Sequence, residues 1–234
     1  MKKTYDLYDD RTQSLRYIDR YPKSFLRTPK EPLIQRPLTL TDLTGPVDLV
    51  KQLNVAPLDM SHVERNWPRA TGQLIEVRGR VLDEDGSPVA GAVVELWQAN
   101  SAGKYIHEMD KHQAPIDPHF IGQGRLVTNE AGEYEFFTIK PGAYPVLESG
   151  WWWRPPHIHF SILGVSWMDR YMTQIFFPGE PLNETDLLLN GIPDRESQKR
   201  VTFEFTDTKM GDLSYMAYRR DFVLRGSKRT PEVD

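Results

Sequence analysis

The sequence predicts an all-β protein: a β-sandwich of mostly antiparallel strands with long loops and an extended N-terminal arm. Three observations lead there. From residue 73 onward, short alternating runs rich in Val, Ile, Tyr and Phe recur. Turn-forming clusters such as Asp83-Glu84-Asp85-Gly86-Ser87-Pro88 separate them. Before residue 73 the chain is polar and studded with proline, which breaks regular structure.

Taken in order, residues 1–72 form the arm. Tyr21-Pro22, Thr28-Pro29, Glu31-Pro32 and Arg36-Pro37 interrupt any long element, and Thr39–Pro46 reads as a helical turn stopped by Gly45 and Pro46. Tyr17, Tyr21, Phe25, Leu33, Ile34 and Leu38 give the arm enough apolar surface to lie on a partner chain. Residues 73–234 form the sandwich domain. Its expected strands are Leu74–Leu82, Ala92–Trp97, Arg125–Thr128, Tyr134–Ile139, His157–Leu163, Tyr171–Phe177, Val201–Phe205 and Asp221–Leu224. The third and fourth read as a hairpin around Asn129-Glu130-Ala131-Gly132. Asn183–Gly191 reads as a short helix capped by Asn183 and ended near Gly191. The long link from Asn100 to Gly124 is a place for function, since loops on a rigid scaffold often carry it.

Composition narrows the chemistry. The chain has 29 basic and 33 acidic residues, so no basic excess exists to neutralise phosphates, and nucleic-acid binding is not its main task. Cysteine is absent, which removes disulfides, thiolate metal sites and cysteine nucleophiles; any metal must be held by His, Tyr, Asp or Glu. The N-terminus carries a basic pair with no apolar run behind it, unlike a signal peptide. No segment approaches the roughly 20 apolar residues of a membrane span. A soluble, cytoplasmic protein is expected.

The stretch Trp151-Trp152-Trp153-Arg154-Pro155-Pro156-His157-Ile158-His159-Phe160 concentrates the chemistry. Side chains two apart on a strand share a face, so His157 and His159 project together while Ile158 and Phe160 face the other way. Such a pair serves either as two metal ligands or as a hydrogen-bonded structural pair. Tyr105, after Gly103-Lys104, and Tyr144, in Lys140-Pro141-Gly142-Ala143-Tyr144-Pro145, lie where tyrosine is not obviously core. Phenolate is a hard anionic donor matched to Fe(III). The alternative is that both rings pack and their hydroxyls hydrogen-bond.

Together these residues resemble the intradiol ring-cleavage dioxygenases, and within them the β subunits of the protocatechuate 3,4-dioxygenase branch. The likeness runs from about Tyr21 to Gly226. It is carried by Val77-x-Gly79-Arg80-Val81-Leu82, Glu95-Leu96-Trp97-Gln98-Ala99-Asn100, Gly103-Lys104-Tyr105, Ala114–Phe120, Thr138–Pro145, Trp153–Phe160, Thr173-Gln174 and Phe222–Gly226. The resemblance implies non-haem Fe(III) with Tyr105, Tyr144, His157 and His159 as ligands, Tyr144 and His159 axial. It implies O₂-dependent opening of a catechol between its hydroxyl-bearing carbons, giving a cis,cis-muconate. Tyr144 would take up a substrate proton, Arg154 would stabilise developing negative charge, and Gln174 would lie towards the O₂ side. Tyr21, Trp97 and Leu188 would line the substrate pocket. It further implies a related α subunit that completes the site within a larger hetero-oligomer, with no nucleic acid and no membrane.

Two positions depart from the family pattern. Val146 stands where the protocatechuate enzymes usually carry a tryptophan, and Ile106 where they tend to carry a polar or basic residue. Both leave the ligands untouched, and the loss of an indole at Val146 is expected to open room beside the ring substituent, which brings 4-sulfocatechol forward beside protocatechuate. Two other classes compete. A metal-free, prealbumin-like β-sandwich binding module would explain the strands but not the Tyr144-to-histidine spacing. A cupin-type Fe(II) site lacks its glutamate in Ser161–Val165. No Gly-x-Ser-x-Gly hydrolase elbow is present.

Overall fold

The alternating runs become strands wherever one set of side chains can be buried between two sheets. The computed structural model describes residues 11–21, 23–32, 34, 37, 39–40, 58–164 and 170–233. Within these, β1 (Leu58–Asp59), β2 (Leu74–Leu82), β3 (Val93–Trp97), β4 (Gln123–Val127), β5 (Glu133–Ile139) and β6 (Tyr144–Pro145) come first. They are followed by β7 (Trp153–Arg154), β8 (His157–Leu163), β9 (Tyr171–Phe176), β10 (Glu204–Lys209), β11 (Tyr215–Arg219) and β12 (Phe222–Val223). The helical elements described in full are α1 (Ser24–Arg27), a 3₁₀ turn at Pro181–Glu184, and α2 (Arg195–Arg200).

One sheet runs β1-β5-β2-β11-β10, with β12 also on β2; the other runs β4-β3-β8-β9; β6 and β7 form a small ribbon. Pairing is antiparallel except for β1 on β5 and for β11 and β12 on β2. Ile75, Val77 and Val81 of β2, Tyr134 and Phe136 of β5, Val94 and Leu96 of β3, and Ile158, Phe160 and Ile162 of β8 meet in one core. This is the all-β sandwich expected from the sequence. No helix among the described residues is long and apolar enough to cross a membrane.

Several expectations need correction. The turn at Asn129–Gly132 exists, and the Asn129 side chain accepts from the Ala131 and Glu133 amides. It joins β4 to β5 across the sandwich, however, because β4 pairs with β3 and β5 with β2. It is therefore not a hairpin. The stretch Val201–Phe205 enters the core through Val201 and Phe203, and its strand begins only at Glu204. Strand β11 had no sequence counterpart. Asn183 caps no helix; its amide donates to the Phe177 carbonyl, and Pro181–Glu184 is a single 3₁₀ turn. The helix lies later, at α2, where Asp194 accepts from the Ser197 amide.

The arm is in part integrated with the domain. Gln13, Ser14 and Ile18 are buried, Leu15 donates its amide to the Gly191 carbonyl, and the Ser24 hydroxyl accepts from the Ile18 amide. Residues 58–72 likewise belong to the sandwich, since β1 pairs with β5 and Met60 is fully buried. Phe25, Leu26, Ile34 and Leu40 remain exposed. The turn expected at Thr39–Pro46 lies, beyond Leu40, outside the described residues.

Candidate active site

Strand β8 sends Ile158, Phe160 and Ile162 into the sandwich and turns His157 and His159 outward. The pairing register then builds a row across that outer face: Trp97 of β3 stands opposite His159, which stands opposite Gln174 of β9. Trp97 and His159 stack face to face, with ring centroids 4.9 Å apart and planes 11° from parallel. The indole thus backs an imidazole.

Two loops bring tyrosines over this face. Gly103, at φ +77°, lets one loop press on the other: a β-carbon there would lie 2.1 Å from the Ala143 carbonyl oxygen. Gly142 serves the reverse contact, where a β-carbon would meet the Ser101 carbonyl at 2.4 Å. Behind Tyr105 the loop closes around the Lys104 ammonium, which donates to the carbonyls of Asp110 (2.9 Å) and His112 (2.7 Å) and pairs with the Asp110 carboxylate. Asp110 in turn accepts from the Tyr105 amide at 2.8 Å. Tyr144 comes from the β6–β7 ribbon, directly opposite Arg154.

Four donor atoms converge as a result. His157 Nε2 lies 3.2 Å from His159 Nε2 and 3.3 Å from Tyr144 Oη, and His159 Nε2 lies 3.2 Å from Tyr105 Oη. His157 Nδ1 donates to the Pro155 carbonyl at 2.7 Å, which leaves Nε2 as a lone pair facing the cluster. Burial and the Arg154 charge hold His159 neutral down to about 3; the same two causes, with His159 itself, hold His157 well below its ordinary value. Two unprotonated imidazole nitrogens facing each other repel unless a cation lies between them. Donors about 2.1 Å from a common centre stand roughly 3.0–3.4 Å apart at square to tetrahedral angles, which matches these separations. The donor set therefore fits a metal ion. Among the described residues no group of three or more His, Asp or Glu side chains is arranged to hold a metal ion, so here the two tyrosines must complete the donor set. Loss of hydration, with Tyr144 beside it, pushes the Tyr105 phenol up, and a multivalent cation reverses that sign.

Arg154 lies behind the cluster and is buried. Its Nε donates to Asp186 Oδ2 and its Nη2 to Gln174 Oε1, each at 2.7 Å. Its Cζ is 5.3 Å from the Trp152 ring and 5.8 Å from Phe176. Asp186 falls inside the helix expected at Asn183–Gly191 and has no functional signal in the sequence; it ends the polar stretch Asn183-Glu184-Thr185-Asp186, directly before Leu187-Leu188-Leu189. Tyr21 meets the buried Trp152 edge-on at 5.5 Å, one shell removed from the donors. Leu188 is buried in the core. Val146 is half-buried in the turn closing the β6–β7 ribbon, where its amide donates to the Trp152 carbonyl. Ile106, beside Tyr105, is 52% exposed. A separate groove lined by Arg78, Arg80, Glu133, Glu135 and Arg219 mixes both signs of charge and contains none of these residues.

A sandwich bearing two histidines and two tyrosines at one point defines an oxidoreductase site of a recognisable class. The chain belongs to the intradiol ring-cleavage dioxygenases: the family model described as dioxygenase matches residues 44–226. It is 41% identical over 212 residues to the protocatechuate 3,4-dioxygenase beta chain of Burkholderia cepacia, covering 90% of this chain and 89% of that one. Catechol 1,2-dioxygenase from Pseudomonas arvilla C-1 superposes with a TM-score of 0.52 at 25% identity, over 75% of this chain and 60% of that structure. The 3-chlorocatechol 1,2-dioxygenase of Rhodococcus opacus 1CP shares the fold, with a TM-score of 0.55 at 21% identity over 71% of this chain. The chain spans less than two thirds of these two solved chains, 60% and 64% of their lengths.

Proposed function

We propose that this chain is the β-type subunit of a cytoplasmic intradiol dioxygenase that opens a para-substituted catechol at a non-haem Fe(III) held by Tyr105, Tyr144, His157 and His159. The observation that carries the reading is a run of four donors, Tyr144 Oη, His157 Nε2, His159 Nε2 and Tyr105 Oη, each 3.2–3.3 Å from the next, beside a buried guanidinium. When bound, Fe(III) polarises the catechol for reaction with O₂. The chain's own groups do the rest. Tyr144 Oη, as phenolate, accepts one proton from the catechol diol. Arg154 supplies fixed positive charge where the ring becomes electron-rich. Gln174 holds Arg154 from the far side, and the Trp97 stack fixes the His159 ring. Tyr21 and Leu188 act at one remove, by bracing Trp152 and the core beneath the pocket.

The likeness to a protocatechuate beta chain favours 3,4-dihydroxybenzoate, cleaved to 3-carboxy-cis,cis-muconate. A second reading keeps the chemistry and prefers 4-sulfocatechol, giving 3-sulfomuconate. It is favoured by Val146 and Ile106, a short and an apolar side chain that follow Tyr144 by two residues and Tyr105 by one. A related α chain is the proposed partner. Ile106, Met109, Leu147, Trp151 and Trp153 leave an apolar rim 46–73% exposed around the tyrosine loops, a surface that calls for a cover.

The test is co-expression with a related α chain, iron loading, and turnover of each catechol under ¹⁸O₂. The expected product is a muconate with two labelled oxygens and one O₂ consumed per ring. An iron-loaded complex that consumes no O₂, or that cleaves beside the diol to a yellow semialdehyde, contradicts the proposal.

A further inference from the structure

Asp186 is the charged group for which the reaction above provides no role, although it is fully buried in the wall behind Arg154. Its two oxygens are divided between backbone and guanidinium. Oδ1 accepts the amides of Leu188 (3.1 Å) and Leu189 (2.8 Å), which fixes the carboxylate in the turn. Oδ2 accepts Arg154 Nε at 2.7 Å, while Nη2 reaches Oδ1 at 3.4 Å and Gln174 Oε1 at 2.7 Å. Gln174 is itself set by the strand register opposite His159. The Nε–Nη2 edge of the planar guanidinium is therefore gripped from two sides. Nη1 makes no hydrogen bond among the described residues, and it is not among the sealed, unpartnered polar atoms. It is the corner of the guanidinium that is neither bonded nor sealed.

A carboxylate buried only for stability is a poor investment, because an apolar residue of similar shape does as well or better once both charges are removed. What the pair adds is geometry. A guanidinium acts through the direction of its N–H groups, and a fork held along one edge has a single roll angle.

We infer that Asp186 is a positioning residue, which with Gln174 sets the roll of Arg154 so that Nη1 alone faces the reacting substrate. This rests on the dioxygenase reading above. Asp186→Asn keeps size and the backbone contacts, but it puts an amide N–H₂ where Arg154 Nε already donates, so the guanidinium must turn away.

The experiment is a cycle of Asp186→Asn, Arg154→Ala and the double variant, each iron-loaded and assayed on the better catechol. Asp186→Asn should lose about 100-fold in kcat, the scale of an ångström-sized misplacement of a catalytic group, with KM within threefold. Iron content and the visible band should match wild type. In the Arg154→Ala background the same change should cost less than twofold, since a residue acting through Arg154 has nothing left to position. A merely structural residue would lose the same factor in both backgrounds, or lose iron, and either result overturns the inference. If Asp186→Asn does not fold, Arg154→Lys keeps the buried charge paired but has no roll to set; it should lose as much kcat as Arg154→Ala, and retained turnover overturns the inference. A crystal structure of Asp186→Asn reads the point without turnover. An unmoved guanidinium refutes the inference whatever the reaction, whereas a turned one beside a wild type inactive on every catechol refutes only the functional reading.

Discussion

Replacing Gly103 by alanine should force apart the two loops that carry Tyr105 and Tyr144. Two contributions can be separated. The first is backbone strain: at φ +77° an alanine costs about 1–2 kcal/mol relative to the right-handed region. The second is steric. The new β-carbon would lie 2.1 Å from the Ala143 carbonyl oxygen, where no real contact falls below 3.0 Å, so one loop must retreat by roughly 1 Å. Gly86 provides the control, with φ +85° and nothing within 4 Å of its β-carbon. Gly86→Ala should therefore destabilise by the strain alone. Gly103→Ala should exceed it by a further ~1–3 kcal/mol, the usual cost of overpacking. It should also lose most of its iron, because a donor displaced by 1 Å no longer reaches the common centre. Urea unfolding of both variants, with iron counted per chain, gives the comparison. Equal destabilisation of the two, with full iron in Gly103→Ala, would refute the claim that the loops are in backbone contact there.

Other outcomes follow from the same geometry. His157 and His159 are held neutral in the fold, so below 6.5 the unfolded chain takes up protons that the folded chain refuses. The iron-free protein should lose stability as pH falls from 6.5 towards 3, by at most about 1.4 kcal/mol per pH unit for each histidine; thermal unfolding in buffers from pH 7.5 to 5 checks this, and a flat profile contradicts it. Lys104→Met strands two carbonyls and the Asp110 carboxylate that now share its ammonium, so it should destabilise by roughly 2–4 kcal/mol in denaturant and loosen the Tyr105 loop. Trp97→Leu removes the stack on His159 and should weaken iron binding about tenfold, measured by competition with a chelator. Val146→Trp should shift the ratio of kcat/KM towards protocatechuate and away from 4-sulfocatechol; an unchanged ratio would remove Val146 from the specificity account.

How much of this was legible beforehand follows from how local each feature is. Strand β8 and the shared face of His157 and His159 were readable because a two-residue period is a local property, and Leu74–Leu82 was readable for the same reason. The tyrosines stand 13 and 52 residues ahead of His157, and only their resemblance to a known motif tied them to it. Asp186 was hidden by Leu187-Leu188-Leu189, whose helical look masked a turn that exists to present one carboxylate inward. The supposed hairpin at Asn129–Gly132 failed because turn chemistry fixes a reversal of the chain but not which sheet receives it. Strand β11 was missed because Tyr215–Arg219 has no apolar alternation; its burial comes from lying parallel to β2. The N-terminal segment looked unattached because its anchors, Gln13, Ser14 and Ser24, are polar residues buried through hydrogen bonds.

The most direct test of the central claim is the visible and resonance Raman spectrum of the iron-loaded protein, for wild type, Tyr105→Phe and Tyr144→Phe. Phenolate donors to Fe(III) predict a wine-red protein, tyrosinate ring modes enhanced within the band, and a changed band in each single variant. A colourless protein with full iron, or a band that survives both substitutions unaltered, would contradict the assignment of the two tyrosines to the metal.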